Sequence, residues 1–331
     1  MGKILIGTKA YAGVPGGSTD RAAPARRCEM ESPRIDLAGW FRYHASYTRA
    51  PIDLAIVAII PARFGSTRLP GKPLSQIAGK PMVQHVWERV RVAQAVDRVL
   101  VATDDERIAT VVRGFGGEVV MTSRDHATGT DRLAEAAAGT DAEIVVNVQG
   151  DEPMLEASFI DAMVASLRAE PGLAMATVSL PLADVEEMLS PAVVKVVTDA
   201  RGDALYFSRS PIPFVREVVD SLGEHQRGEW LRAAAAQAVA RGLARKHVGL
   251  YAYRREALLR FASLPPAPLE QAESLEQLRA LHHGMKIRVV PMEGQSGVAV
   301  DTPQDLERAR AIMAGGASPN TRKTWLPNTS S

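Results

Sequence analysis

The sequence of 331 residues contains a single cysteine, Cys28. An internal disulfide is excluded, and no Cys/His cluster has zinc-site spacing, so a bound metal would need oxygen ligands. Net charge is also scarce: 39 Lys+Arg against 38 Asp+Glu leave +1. That excludes the broad basic surface of a nucleic-acid binder, and any positive field has to be local. No stretch approaches the roughly 18 consecutive apolar residues of a membrane span. The start lacks the basic, apolar, small-residue order of a signal peptide. What is present, 46% apolar and 23% charged residues, is the composition of a globular protein, expected in the cytoplasm without membrane insertion.

Residues 1–52 mix Gly, Pro, Ser, Ala and Arg without a sustained period and carry eight Lys/Arg against four Asp/Glu. They are expected to be a disordered extension; the four acids argue against a transit peptide. Residues 315–331 are expected to be a flexible tail. Between them, "LAIVAII" (54–60) is a short continuous apolar run ending in Pro61, the mark of a strand buried on both faces. Pro81 suits an early helical position, and Met82, Val83, Val86, Trp87, Val90 and Ala93 recur at helical spacing. Three more strand–helix pairs follow: 98–103 with 104–115, 118–122 with a helix near 130–138, and 143–148 with a helix near 156–169. This alternation predicts an α/β fold, a mainly parallel sheet with helices on both faces and ligands at the carboxyl ends of its strands. The second half is less regular. It predicts a hairpin around 201–203, a strand over 247–254, a helix over 269–283, a strand near 286–292 and a helix from Pro303. The alanines of "LRAAAAQAVARGLAR" favour a helix within 216–246 that has no evident place against the sheet. The expected division is a domain over 53–314, with 216–246 insertion-like and a smaller mixed region in the second half.

The connection between the first strand and its helix is long, and such loops tend to be functional. Its "PARFGSTRLPGKP" (61–73) packs three cations, three prolines and two glycines into thirteen positions. It is not a Walker A loop: five residues separate Gly65 from Gly71, and Pro73 stands where Ser or Thr is needed. No G-x-G-x-x-G is present either. The loop is either a solvated, proline-stiffened turn or a cradle in which Arg63, Arg68, Lys72 and backbone N–H groups wrap an anion. A second constellation is "VNVQGDEP" (146–153), where a buried strand runs into Gln149, Gly150, Asp151 and Glu152. It is either a plain turn or a carboxylate site for Mg²⁺, which accepts one or two protein carboxylates. In "GVAVDTPQD", Asp301 either caps the helix that Thr302-Pro303 opens or serves as a second ligand. A cationic loop with two separated acids is what phosphoryl or nucleotidyl transfer requires.

With these motifs, "VATDDE", "HATGTDRLAE", "VKVVTD", "ALYFSRSPIP", "HVGLYAYR" and "PLEQAESLEQLR" follow in an order that resembles the 3-deoxy-manno-octulosonate cytidylyltransferases, the CMP-Kdo synthetases. The likeness covers about 54–313. It implies a nucleotidyltransferase-type fold and Mg²⁺-dependent attack of the anomeric hydroxyl of 3-deoxy-manno-octulosonate (Kdo) on the α-phosphate of CTP, giving CMP-Kdo for lipopolysaccharide synthesis. It further implies that Arg63, Ser66, Arg68 and Lys72 contact the phosphates, that Lys72, Arg63 and Asp151 carry the catalysis, and that Asp151 and Asp301 hold Mg²⁺. The Thr103–Asp104 region and Gly129 would line the cytidine pocket. Gln149, Arg209, His247, Tyr251, Glu276 and Gln277 would surround the sugar, and the assembly would be a homodimer.

Without the resemblance, several of these residues have plainer readings. His247 is then a strand histidine, Tyr251 a core aromatic, Glu276 part of a solvated helix face, and Arg209 the partner of a surface carboxylate. His85, His126, His282 and His283 are expected to be structural or surface residues. The leader exceeds what the family needs, which suggests a start downstream of Met1, and 216–246 departs from the pattern. The rivals are a cytidylyltransferase for another sugar acid such as sialic acid, a non-catalytic nucleotide-binding module, and a glycosyltransferase. The last usually carries D-x-D, and no such triplet follows the central strands.

Overall fold

The computed structural model describes residues 55–65, 68–126, 128–221, 229–294 and 297–315. The expected leader over 1–52, Ser66 of the basic loop and nearly all of the expected tail lie outside the described residues. The strands that build the main sheet are β1 (Ile56–Ala62), β4 (Arg98–Thr103), β5 (Glu118–Met121), β6 (Ile144–Asn147), β7 (Met175–Leu180), β8 (Lys195–Thr198), β9 (Ala204–Ser208), β10 (Arg245–Arg254) and β11 (Ile287–Pro291). Two short strands, β2 (Gln76–Ile77) and β3 (Lys80–Pro81), form a separate hairpin. The helices are α1 (Met82–Arg91), α2 (Glu106–Gly114), α3 (Gly129–Ala138), α4 (Ala157–Ala169), α5 (Val185–Leu189), α6 (Arg216–Ser221), α7 (Trp230–Ala240), α8 (Arg255–Ser263), α9 (Pro268–Glu273), α10 (Gln277–His282) and α11 (Pro303–Met313).

The main sheet has nine strands in the order β11-β7-β10-β6-β1-β4-β5, with β8 on β10 and β9 on β8. β1 lies between β6 and β4, parallel to both, which explains its uninterrupted apolar sequence. β10 runs antiparallel between β6 and β7. Alternate residues of β1 face opposite cores. Ala58 and Ile60 pack with Val83, Val86, Trp87, Ile108 and Phe159 of α1, α2 and α4. Val57 and Ile59 pack with Leu133, Leu258, Phe261 and Leu278 of α3, α8 and α10. Helices therefore cover both faces, as the alternation predicted.

Three expectations change. Pro81 is the N-cap of α1 and the last residue of β3, so it precedes the helix. The predicted helix over 269–283 is two helices, broken where Ser274 adopts a left-handed φ of 51°. The long loop after β1 is not irregular throughout: it contains a 3-10 turn (Lys72–Leu74) and the β2–β3 hairpin. The alanine-rich helix does form as α7. Its Ala234, Ala235 and Ala238 pack with Leu182, Met188 and Val215 in a satellite core beside α5 and α6, which meets the sheet at Val197 of β8.

Candidate active site

The basic loop leaves the carboxyl end of β1 and closes on itself, the Gly71 N–H donating to the Phe64 carbonyl at 2.9 Å. Gly71 has φ of 69°, and a Cβ there would approach the Phe64 ring to 3.2 Å, so a glycine is needed at this corner. The Arg107 guanidinium of α2 stacks on the Phe64 ring, 3.3 Å from its centroid, and anchors the loop. The 3-10 turn that follows directs Lys72 back toward the strand ends. Its Nζ donates to Asp151 at 2.7 Å and to Asp301 at 3.2 Å. Arg68 reaches Asp301 at 3.1 Å.

The acids are brought there by backbone. A Cβ on Gly150 would lie 2.9 Å from the Pro61 carbonyl oxygen, so only glycine lets the turn after β6 pass this close to the end of β1. The Val300 N–H then donates to the Asp151 carbonyl at 2.9 Å, which sets Asp301 beside Asp151. The choice between capping and ligand roles also resolves. Thr302 caps α11, accepting from Asp305 N–H in a capping box, and leaves the Asp301 carboxylate to Lys72 and Arg68.

A second cluster surrounds the end of β4. Asp105 caps α2, whereas Asp104 pairs with Arg132 at 3.0 Å. Thr103 is fully buried, and its hydroxyl accepts from the Asp105 N–H at 3.3 Å. Arg132 is itself fully buried and also bonds Thr122. Burial, then the neighbouring Arg132, lowers the pKa of Arg63, against the opposing pull of Asp104 and Asp131. Thr128 forms a capping box with Asp131 at the start of α3, which begins at Gly129. Arg132 escaped the sequence reading because an arginine in a helix is ordinarily solvated.

A third group lies where β10 meets α10. Glu276, expected on a solvated face if the resemblance is set aside, is half-buried. Its Oε2 accepts from the Thr130 hydroxyl at 2.6 Å, and burial raises its pKa. Tyr251 is buried beside His247, ring centroids 5.5 Å apart, and feels the Glu276 charge. Gln277 is buried as well, while Gln149 is half-buried on the turn that carries Asp151. Arg209 does not form the expected ion pair through its side chain. Its guanidinium donates to the carbonyls of Glu273, Pro191 and Ser274, and its backbone N–H to the Glu273 carboxylate. Two open hollows of about 500 and 490 Å³ lie at the opposite end of the sheet, and no expected site residue lines either.

His247 is a strand histidine, as its plainer reading had it, and burial pushes its pKa down to about 3. Thr177 directs its one hydroxyl proton at the Leu250 or Val248 carbonyl, at 2.8 and 3.2 Å. The Thr177 oxygen is then left to accept from Nε2–H of His247 at 3.1 Å, so the neutral ring keeps Nδ1 as an acceptor. The unfolded chain takes up a proton below its ordinary 6.5 that the folded site refuses, so this stability is complete above pH 6.5 and falls as pH drops toward 3. Urea unfolding should show about 2 kcal/mol more loss between pH 7 and pH 5 in the parent than in His247→Gln. Equal losses would contradict the neutral ring.

Comparison with known proteins adds the family. The cytidylyltransferase family model matches residues 57–287. The 3-deoxy-manno-octulosonate cytidylyltransferase of Geobacter sulfurreducens is 56% identical over 253 residues, covering 76% of this chain and 97% of the relative. That of Syntrophotalea carbinolica is 53% identical over 263 residues, 79% of this chain and all of the relative. The chain belongs to the 3-deoxy-manno-octulosonate cytidylyltransferase family. Within solved structures, a CMP:2-keto-3-deoxy-manno-octonic acid synthetase complexed with CTP aligns with TM-score 0.69 and 44% identity, over 79% of this chain and 99% of that one. A 4-diphosphocytidyl-2C-methyl-D-erythritol synthase from Anaerococcus prevotii, 15% identical with TM-score 0.50, shares the fold alone.

Proposed function

We propose that this protein transfers CMP from CTP to the anomeric 2-hydroxyl of Kdo, giving CMP-Kdo for lipopolysaccharide synthesis. The new bond joins that oxygen to the α-phosphorus, the bond from the α-phosphorus to the bridging oxygen breaks, pyrophosphate departs, and the hydroxyl proton is lost. The observation that carries this reading is the convergence of Lys72 on Asp151 and Asp301 in a chain of this family. Lys72 puts a point charge beside the α-phosphate, where negative charge grows in the transition state. Arg63, Arg68 and Ser66 hold the remaining phosphates. The backbone around Thr103 and Asp104, with Gly129, receives the cytidine, while the Asp104–Arg132 pair keeps that corner rigid. Asp151 and Asp301 offer the hard oxygen donors Mg²⁺ prefers, and two protein carboxylates completed by phosphate oxygens and water are a usual set for that ion. Bound there, Mg²⁺ supplies charge neutralisation and polarisation of the attacking oxygen.

Gln149, His247, Tyr251, Glu276 and Gln277 take the sugar hydroxyls, and Arg209 serves its carboxylate or fixes the turn before Glu276. The catalytic unit is 53–314, with 216–246 inserted. CTP as substrate points to the cytoplasm; no helix among the described residues is long and apolar enough to cross a membrane. A homodimer is supported by exposed Phe214 and Trp230, in edge-to-face contact at 5.4 Å, and by exposed Leu205 on β9. Pyrophosphate release with CTP and Mg²⁺, offering Kdo and N-acetylneuraminate separately, tests the reading. Release with Kdo alone is expected; release with sialic acid alone, or with neither from folded protein that binds CTP, would refute it.

A further inference from the structure

We infer that Asn147 belongs to the sugar subsite, its carboxamide hydrogen-bonding a hydroxyl of a polyhydroxylated sugar acid; the inference rests on the function proposed above. Asn147 ends β6 at the carboxyl side of the sheet, two residues before Gln149 and four before Asp151. It pairs in register with Ile59 of β1 on one side and Tyr251 of β10 on the other. Its side chain shares the face of Val145, two residues earlier, whose cluster includes Tyr251 and Leu278 of α10.

An asparagine here costs stability unless something satisfies it. The residue is only 3% exposed, yet Oδ1 has no hydrogen-bond partner among the described residues. Three further buried atoms lack a hydrogen-bond partner among the described residues: the Tyr251 hydroxyl, Gln277 Nε2 and Glu276 Oε1, the last with only the Arg279 guanidinium near it, at 3.7 Å. Tyr251 stands opposite Asn147 on the neighbouring strand, Glu276 is close enough to raise the Tyr251 pKa, and Gln277 follows Glu276 in the chain. Buried polar atoms in folded proteins are nearly always paired, so four on adjoining residues point to a ligand that pairs them. Together they offer two acceptors, one donor and one group that does both. That set suits hydroxyls, which donate and accept, better than a phosphate, which only accepts.

The test is Asn147→Leu, close in shape and without the polar atoms, beside Asn147→Ala. Replacing a partnerless buried carboxamide by an apolar side chain of similar shape removes a desolvation penalty, so Asn147→Leu should melt at or above the parental temperature. Its KM for Kdo should nevertheless rise about tenfold, as expected for one lost hydrogen bond, with KM for CTP within about twofold of parental. Asn147→Ala should show the same Kdo defect with a lower melting temperature from the cavity. An unchanged Kdo KM in Asn147→Leu, or a fall in melting temperature with both KM values raised alike, would overturn the inference and leave Asn147 a structural residue. A parent enzyme that ignores Kdo but uses another sugar acid, with that use impaired in Asn147→Leu, would refute the Kdo reading and sustain this one. A parent inert toward every sugar acid would overturn both.

Discussion

Lys72→Ala should lower kcat by roughly 10²–10³-fold, with a smaller rise in the KM for CTP. The asymmetry follows from where the ammonium sits. In the free protein it is 15% exposed and shared by two carboxylates, so it is already desolvated and aimed before substrate arrives. A charge organised in this way acts most strongly on the atom whose charge increases during reaction, while Arg63 and Arg68, in the proposed roles, would continue to bind the ground-state phosphates. The variant should also lose some stability, because Asp151 and Asp301 are left facing each other without the cation between them. Lys72→Arg, which keeps charge but not a point donor at that reach, should recover folding stability without full turnover. Steady-state kinetics and thermal melts on the same preparations separate the two effects. A Lys72→Ala enzyme with parental kcat would remove the loop from the chemistry.

Asp151→Asn should lower turnover by roughly 10²-fold and raise the Mg²⁺ concentration that gives half-maximal rate. The substitution preserves shape but replaces one acceptor oxygen by a donor NH2 and removes the charge that accepts from Lys72 at 2.7 Å. Titrating the variant with Mg²⁺ at saturating CTP and Kdo distinguishes the two roles of this carboxylate. If it only orients Lys72, the Mg²⁺ dependence keeps its parental midpoint. If it ligates the ion, the midpoint moves upward, and chelation by EDTA abolishes the activity of both enzymes.

Much of this site is written locally in the chain. An apolar heptapeptide followed by Pro61 reads as a central strand because a parallel sheet buries both faces of its middle members. The loop after it carries too much charge and too many stiffening residues to be a simple connection. What remained illegible depends on long-range packing. The break at Ser274 is set by a left-handed residue that leaves no mark on helical periodicity. The ambiguity at Asp301 required the structure, since Asp and Thr are both good caps and it is the Thr302–Asp305 capping box that leaves the Asp301 carboxylate over, beside Asp151 through the Val300–Asp151 backbone bond. Arg132 and Asn147 were passed over for a shared reason: each is a polar residue that is ordinary for its element until its burial is known. The alanines of α7 called for a helix but not for its partner, because a small apolar face packs against many surfaces.

The central claim is tested most directly by ³¹P NMR of a reaction containing the protein, CTP, Mg²⁺ and Kdo. The account predicts that the three CTP resonances give way to one phosphodiester signal and one equivalent of pyrophosphate, with no change when Kdo is omitted. Pyrophosphate appearing with free CMP and no phosphodiester, or equally fast without Kdo, would contradict it.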